Sequence, residues 1–251
     1  DVCSSDLNTA VYFENDIPKT ASDYFGLYTD YSTKKSSYIQ NAKLPNNSTK
    51  NPQEAKQQVT LMWDKGVESG WNNLKDSSDF VKKLIATCEQ GSIVTITIKG
   101  GASAPATADY NKSLGLRRAK SLQLYYEGLP SLKKYFDATP KQINFTLESW
   151  GEEYTLDAGT AQVKDLGTNV INCTSGKGDV YDKDIFTRNA MACRRAAITN
   201  VTVQPKTEVP SQNPGTNQTI PPNNPPGTAP TAIQGGSQPN IQGPTETVTE
   251  V

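Results

Sequence analysis

The run Ser92-Ile93-Val94-Thr95-Ile96-Thr97-Ile98 constrains the fold more than any other segment. Every residue after Ser92 is β-branched, and Thr alternates with Ile through its second half, so it reads as a strand with a buried face. Such a strand needs neighbours, and three weaker segments supply them. Ala10-Val11-Tyr12-Phe13 is a short strand stopped by Asn15-Asp16-Ile17-Pro18. Ile143 to Leu147 is another, and Ala196 to Val203 is the last.

Helical patterns lie between these strands. Tyr24, Tyr28, Tyr31 and Tyr38 fall near helical spacing within Thr20 to Ile39, where aromatics at that period read as core. Pro52 to Thr87 reads as one broken helix or two adjacent ones, with Val59, Met62, Trp63, Val81, Leu84 and Ile85 on the apolar face and Gly66 and Gly70 as break points. A helix from about Ala108 to Glu127 would bury Leu114, Ala119, Leu122 and Tyr126, and Gly128 and Pro130 end it. The order is strand, helices, strand, helix, strand, loop, strand, which predicts an α/β sandwich with one helical layer over a mixed sheet.

The chain holds no histidine among its 251 residues. A Ser–His–Asp or Cys–His engine is therefore excluded, and so is a histidine-ligated zinc site. Its four cysteines include no C-x-x-C pair, so no thiolate metal cluster is expected. The net charge is −1, from 25 basic and 26 acidic residues, which offers nucleic acid and anionic membrane surfaces nothing to recognise. Mean hydropathy is −0.60, and no apolar run reaches the roughly 20 residues of a membrane helix.

Both ends differ from the middle. Residues 1–7, Asp-Val-Cys-Ser-Ser-Asp-Leu, resemble the translated end of a sequencing adapter and read as a non-native leader, with any export signal lost upstream. From about Gln204 onward the chain changes character. Ten of the sixteen prolines lie between Pro205 and Pro244, among Asn, Gln, Thr and Gly. A segment so poor in apolar side chains cannot offset its ordering entropy, so residues 204–251 are expected to be a disordered tail. The domain is then residues 8–203, with a helical insertion at about 20–70.

The stretch from Gly100 to Ala119 reads Gly-Gly-Ala-Ser-Ala-Pro-Ala-Thr-Ala-Asp-Tyr-Asn-Lys-Ser-Leu-Gly-Leu-Arg-Arg-Ala. It resembles the OmpA-like peptidoglycan-binding motif: Gly-x-Thr-Asp, an eight-residue step to Asn, then x-x-Leu-Ser-x-x-Arg-Ala. Gly100, Asn111, Leu114, Arg118 and Ala119 match in type and spacing. Val11-Tyr12-Phe13 resembles the family's opening strand, Gly151-Glu152 its Gly-Glu turn, and Arg194-Arg195 its closing Arg-Arg pattern. The resemblance spans roughly Asn8 to Val203.

It implies an OmpA-like two-layer sandwich and a non-catalytic, cofactor-free domain of the periplasm or outer membrane. Such a domain grips the diaminopimelate of the peptidoglycan stem peptide and anchors an envelope assembly to the wall, with other envelope proteins as partners. An Asp pairs with the ligand's ammonium, an Arg with its carboxylate, and backbone N–H groups at the helix start assist. The Arg maps to Arg118, whose fork suits a carboxylate. Asn111 would shape the loop, and Gly101, Ala102 and Leu114 would complete the ligand-facing set. The Asp maps to Ser103, which carries no charge. A hydrogen bond to a charged group contributes about 1.5–3 kcal/mol, so this change should weaken binding roughly ten- to a hundredfold. The alternative is a fold that has lost wall binding and serves as a protein–protein interaction module.

The remaining candidates read as follows. Asp109 either caps the helix or faces the site, the cap being favoured. Arg117 reads as solvated and Arg195 as structural. Cys173 and Cys193 enclose about twenty residues and form either a disulfide or two buried thiols; Cys88 reads as core. Glu148, Glu152 and Glu153 surround Trp150, but they read as a strand end and a turn rather than the paired carboxylates of a glycosidase.

Overall fold

The computed structural model describes residues 10–20, 32–44, 51–103, 106–152, 154–157, 170–173 and 185–206, all within the unit Asp1–Glu208. The expected leader, the expected tail from residue 207 on, Tyr24, Tyr28, Tyr31 and Glu153 lie outside the described residues, whereas Gln204, the first residue assigned to the tail, closes the last strand.

The main sheet has four strands: β1 (Ala10–Tyr12), β2 (Ile93–Gly101), β3 (Ile143–Gly151) and β6 (Arg195–Gln204), in the order β1-β6-β2-β3. The pair β2–β3 is parallel, and β6 runs antiparallel to both β1 and β2. The sheet is therefore mixed. Because Ile93 pairs with Gln204 and Gly100 with Ala196, β6 ends beside the start of β2, at the far end of the sheet from Gly101. A second sheet, missing from the sequence reading, pairs β4 (Thr155–Asp157) with β5 (Val170–Asn172).

Before β2 come α1 (Lys35–Gln40), α2 (Pro52–Leu61), a π-helical segment (Met62–Glu68), α3 (Ser69–Leu74) and α4 (Asp79–Glu89). After it come α5 (Ala108–Glu127), α6 (Lys133–Phe136) and α7 (Arg188–Cys193). Asn51 caps α2, accepting a hydrogen bond from Glu54 N, and Pro52 opens it. Ser78 caps α4 in the same way through Val81 N. The helix beginning at Pro52 does not break at Gly66 or Gly70; it runs on to Leu74 and turns at Lys75–Ser78. Gly70 instead allows close approach: a Cβ there would collide with the Ala10 carbonyl of β1.

Strand alternation divides the interior into two clusters. Val11 and Phe13 join Val94, Ile96, Ile98, Ile143 and Ile198 beneath α4 and α5. Ala10 and Tyr12 point the other way, into a second cluster with Tyr38, Met62, Trp63, Tyr154, Ile171 and Met191. One helical layer was expected; β1 is in fact covered on both sides. Each large apolar side chain so buried contributes about 1.5–3 kcal/mol.

The disulfide Cys173–Cys193, with Cα atoms 5.7 Å apart, ties β5 to α7 inside that second cluster. Among the described residues, no helix is long and apolar enough to cross a membrane, and no group of three His, Cys, Asp or Glu could hold a metal ion.

Candidate functional site

Helix α5 is set against the sheet by two glycines. A Cβ on Gly100 would collide with the carbonyl of Gly115, so the helix rests on β2 backbone to backbone. That contact directs the stripe Asn111, Leu114 and Arg118, spaced i, i+3 and i+7, toward the end of β2. Thr107, not Asp109, is the N-cap: its Oγ1 accepts from Tyr110 N at 3.4 Å. Asp109 sits exposed in the first turn, where a carboxylate favours the helix dipole.

A cleft of about 530 Å³ opens at this helix start. It is lined by Asn15, Asp16, Ser103, Thr107, Tyr110, Asn111, Leu114 and Arg118, together with Ala106. Four of the six expected ligand residues thus meet in one place. Gly101 and Ala102 do not line the cleft. Ala102 N donates to Gly151 O at 2.7 Å, and Gly101 O accepts from Arg118.

Arg118 is fully buried. Its guanidinium donates from Nε to Ile17 O (2.9 Å), from Nη1 to Gly101 O (2.7 Å) and from Nη2 to Glu14 O (3.2 Å), and it lies 5.5 Å over the Phe13 ring. It is a permanent cation in the cleft wall and also the clasp between β2 and the turn after β1. Arg117, expected to be solvated, joins the same clasp, with Nε donating to Pro18 O at 2.9 Å. Asn111 donates to Ala106 O and to the buried carboxylate of Glu152, joining the helix start to the turn after β3. Gly151, at φ 61°, makes that turn in a left-handed conformation open to glycine.

Asp16 is the residue the sequence reading passed over, having treated Asn15-Asp16 only as a strand stop. It sits at φ 57°, a left-handed geometry that Asp tolerates better than most side chains. Its carboxylate accepts hydrogen bonds from Tyr110 Oη and Lys19 Nζ. Burial pushes this carboxyl up, but the Lys19 and Tyr110 bonds and the Lys19 charge outweigh it and hold the group below its usual range. The same bond to Asp16 raises the Tyr110 hydroxyl. The available signal was an acidic side chain in a turn between a strand and Pro18.

The other candidates do not line the cleft. Glu148 pairs with Lys99 at 2.6 Å on the sheet, while Glu152 is taken up by Asn111, so these two carboxylates do not flank a common space. Arg195 lies 5.3 Å over the Trp150 ring and bonds Tyr12, and Arg194 is buried against Phe13 O, Ile185 O and Tyr38 Oη.

The cleft offers a fixed cation at Arg118, a carboxylate at Asp16 and the N-terminus of a 20-residue helix. Those three features suit a small ligand that carries both an ammonium and a carboxylate. Comparison with protein-family models, curated proteins and solved structures finds no match for this chain.

Proposed function

We propose that this chain carries a non-catalytic cell-envelope domain of the OmpA-like kind, which holds the diaminopimelate of the peptidoglycan stem peptide in the cleft at the start of α5. Its work is anchorage of an outer-membrane or secretion-related assembly to the wall, from the periplasm. The observation that supports this most is Asp16. The motif's carboxylate is replaced by Ser103, yet a carboxylate from the turn after β1 lines the same cleft as Ser103, Asn111 and Arg118. A ligand ammonium would displace Lys19 from Asp16, and a ligand carboxylate would face the Arg118 charge and the helix N-terminus. Ser103 itself favours the second reading, a fold of this kind that has left the wall for protein partners.

The deciding experiment measures binding of the chain to purified sacculi and to a diaminopimelate-containing stem peptide. Saturable binding that drops in Asp16→Asn and rises in Ser103→Asp supports the anchor. No binding by the parent, with binding gained in Ser103→Asp, gives the protein-interaction reading instead.

A further inference from the structure

Tyr154 does not line the cleft but lies in the second core cluster, gripped from two directions. Its carbonyl accepts from Cys173 N at 2.9 Å, and its hydroxyl donates to the carbonyl of Cys193. Those two cysteines are the ones joined by the disulfide. The Tyr154 ring stacks on Trp150 with centroids 5.0 Å apart and planes 15° from parallel, and Arg195 covers the other partner of that stack. Tyr154 is buried, and its hydroxyl is raised by desolvation, as suits a neutral donor.

The ring occupies the space that a side chain on Gly101 would need; a Cβ there would collide with the Tyr154 hydroxyl and ring carbons. Gly101 in turn receives Arg118 Nη1 at 2.7 Å, and Ser103, two residues further on, lines the cleft. The path from the disulfide to Arg118 in the cleft wall therefore has three steps, from Cys193 to Tyr154, from Tyr154 to Gly101 and from Gly101 to Arg118.

We infer that Tyr154 is a positioning residue for the cleft, and that the Cys173–Cys193 bridge fixes it, so that the cleft's affinity depends on the bridge being formed. The inference rests on the cleft being the ligand site; the brace itself does not depend on what the ligand is. When the bridge is reduced, an added dithiol supplies two electrons and two protons and closes to its own disulfide, the S–S bond breaks, and Cys173 and Cys193 become thiols. Tyr154 then keeps its hydrogen bonds to two segments that are no longer tied together. The backing of Gly101 loosens, and the Arg118 anchor moves with it.

The test uses the full chain in four forms: oxidised, dithiol-reduced, Cys173→Ala/Cys193→Ala, and Tyr154→Phe, which keeps the ring and loses the hydroxyl. Two quantities are read on each: affinity for a diaminopimelate tripeptide, and amide hydrogen exchange at Ala102, whose N–H is held by Gly151 O. Circular dichroism confirms that each form is folded. Breaking the bridge should raise the Ala102 exchange rate and weaken tripeptide binding by about tenfold, with Tyr154→Phe falling between that form and the parent. Unchanged Ala102 exchange in folded, reduced protein overturns the brace, whether or not the tripeptide binds. Failure of the oxidised parent to bind the tripeptide, with Ala102 exchange still rising on reduction, removes the wall ligand and leaves the brace standing.

Discussion

Gly100 and Gly115 meet with no side chain between them, strand carbonyl against helix backbone. On helix propensity alone, Gly115→Ala should stabilise α5 by about 1 kcal/mol. Here the added Cβ would strike Ser149 Oγ and the Gly100 carbonyl, and a backbone cannot swing aside as a side chain can. We expect net destabilisation of about 1–3 kcal/mol, by analogy with overpacked cores. Urea denaturation decides the sign, and a stabilised Gly115→Ala protein would contradict the close crossing.

Arg118→Lys keeps the charge and loses the fork. One ammonium cannot reach the carbonyls of Ile17, Gly101 and Glu14 together, so acceptors that are buried at Gly101 and part-buried at Ile17 and Glu14 lose donors. The expected cost is about 2–5 kcal/mol, seen as a lowered denaturation midpoint. A variant as stable as the parent would mean that the turn after β1 is held by something other than this guanidinium.

Acid should release Asp16. Its folded pKa lies below its ordinary value of 3.8, so its contribution to stability is complete above that value and fades as pH falls through the depressed one. The stability difference between the parent and Asp16→Asn should therefore be constant at neutral pH and shrink below about pH 4. Denaturation midpoints for both proteins across that range give the answer; a difference that grows on acidification would reverse the assignment.

Cys88 should be silent in the native protein. It is buried in the first cluster, and burial pushes its thiol up to about 11. Raising pH through the thiol's unfolded value therefore costs stability, because the unfolded chain gives up the proton first. Alkylation by iodoacetamide near about pH 8, followed by mass spectrometry, should label Cys88 only as fast as the protein unfolds. Rapid labelling of folded protein would show the site to be open.

Where a segment carried a long periodic signal, its place in the fold could be read in advance. Helix α5 occupies Ala108–Glu127, with Leu114, Ala119, Leu122 and Tyr126 buried, as their spacing implied. Strand β2 continues three residues past Ile98, through Lys99 and both glycines, because pairing with β3 and β6 carries it beyond its β-branched core. The hairpin β4–β5 was illegible, since strands of three residues are too short to show alternation. Gly70 misled because a glycine demanded by tertiary contact looks, in sequence, the same as one that ends a helix. At the site, the residues on α5 were visible through their fixed helical spacing. Asp16 was not, because nothing local to Asn15-Asp16-Ile17-Pro18 reveals that Arg117, Arg118 and Tyr110 will fold the turn onto a helix about a hundred residues later.

The opposed ends of β2 and β6 set how the domain would carry load. A ligand held near Ser103 and a pull applied beyond Lys206 act at opposite ends of the sheet, along the strands rather than across them. Tension on β6 would then be shared by the rungs of its antiparallel ladder with β2 at once, in shear, instead of parting them one at a time as in a zipper. If the domain anchors as proposed, its sheet would take up the load before its hold on the ligand does.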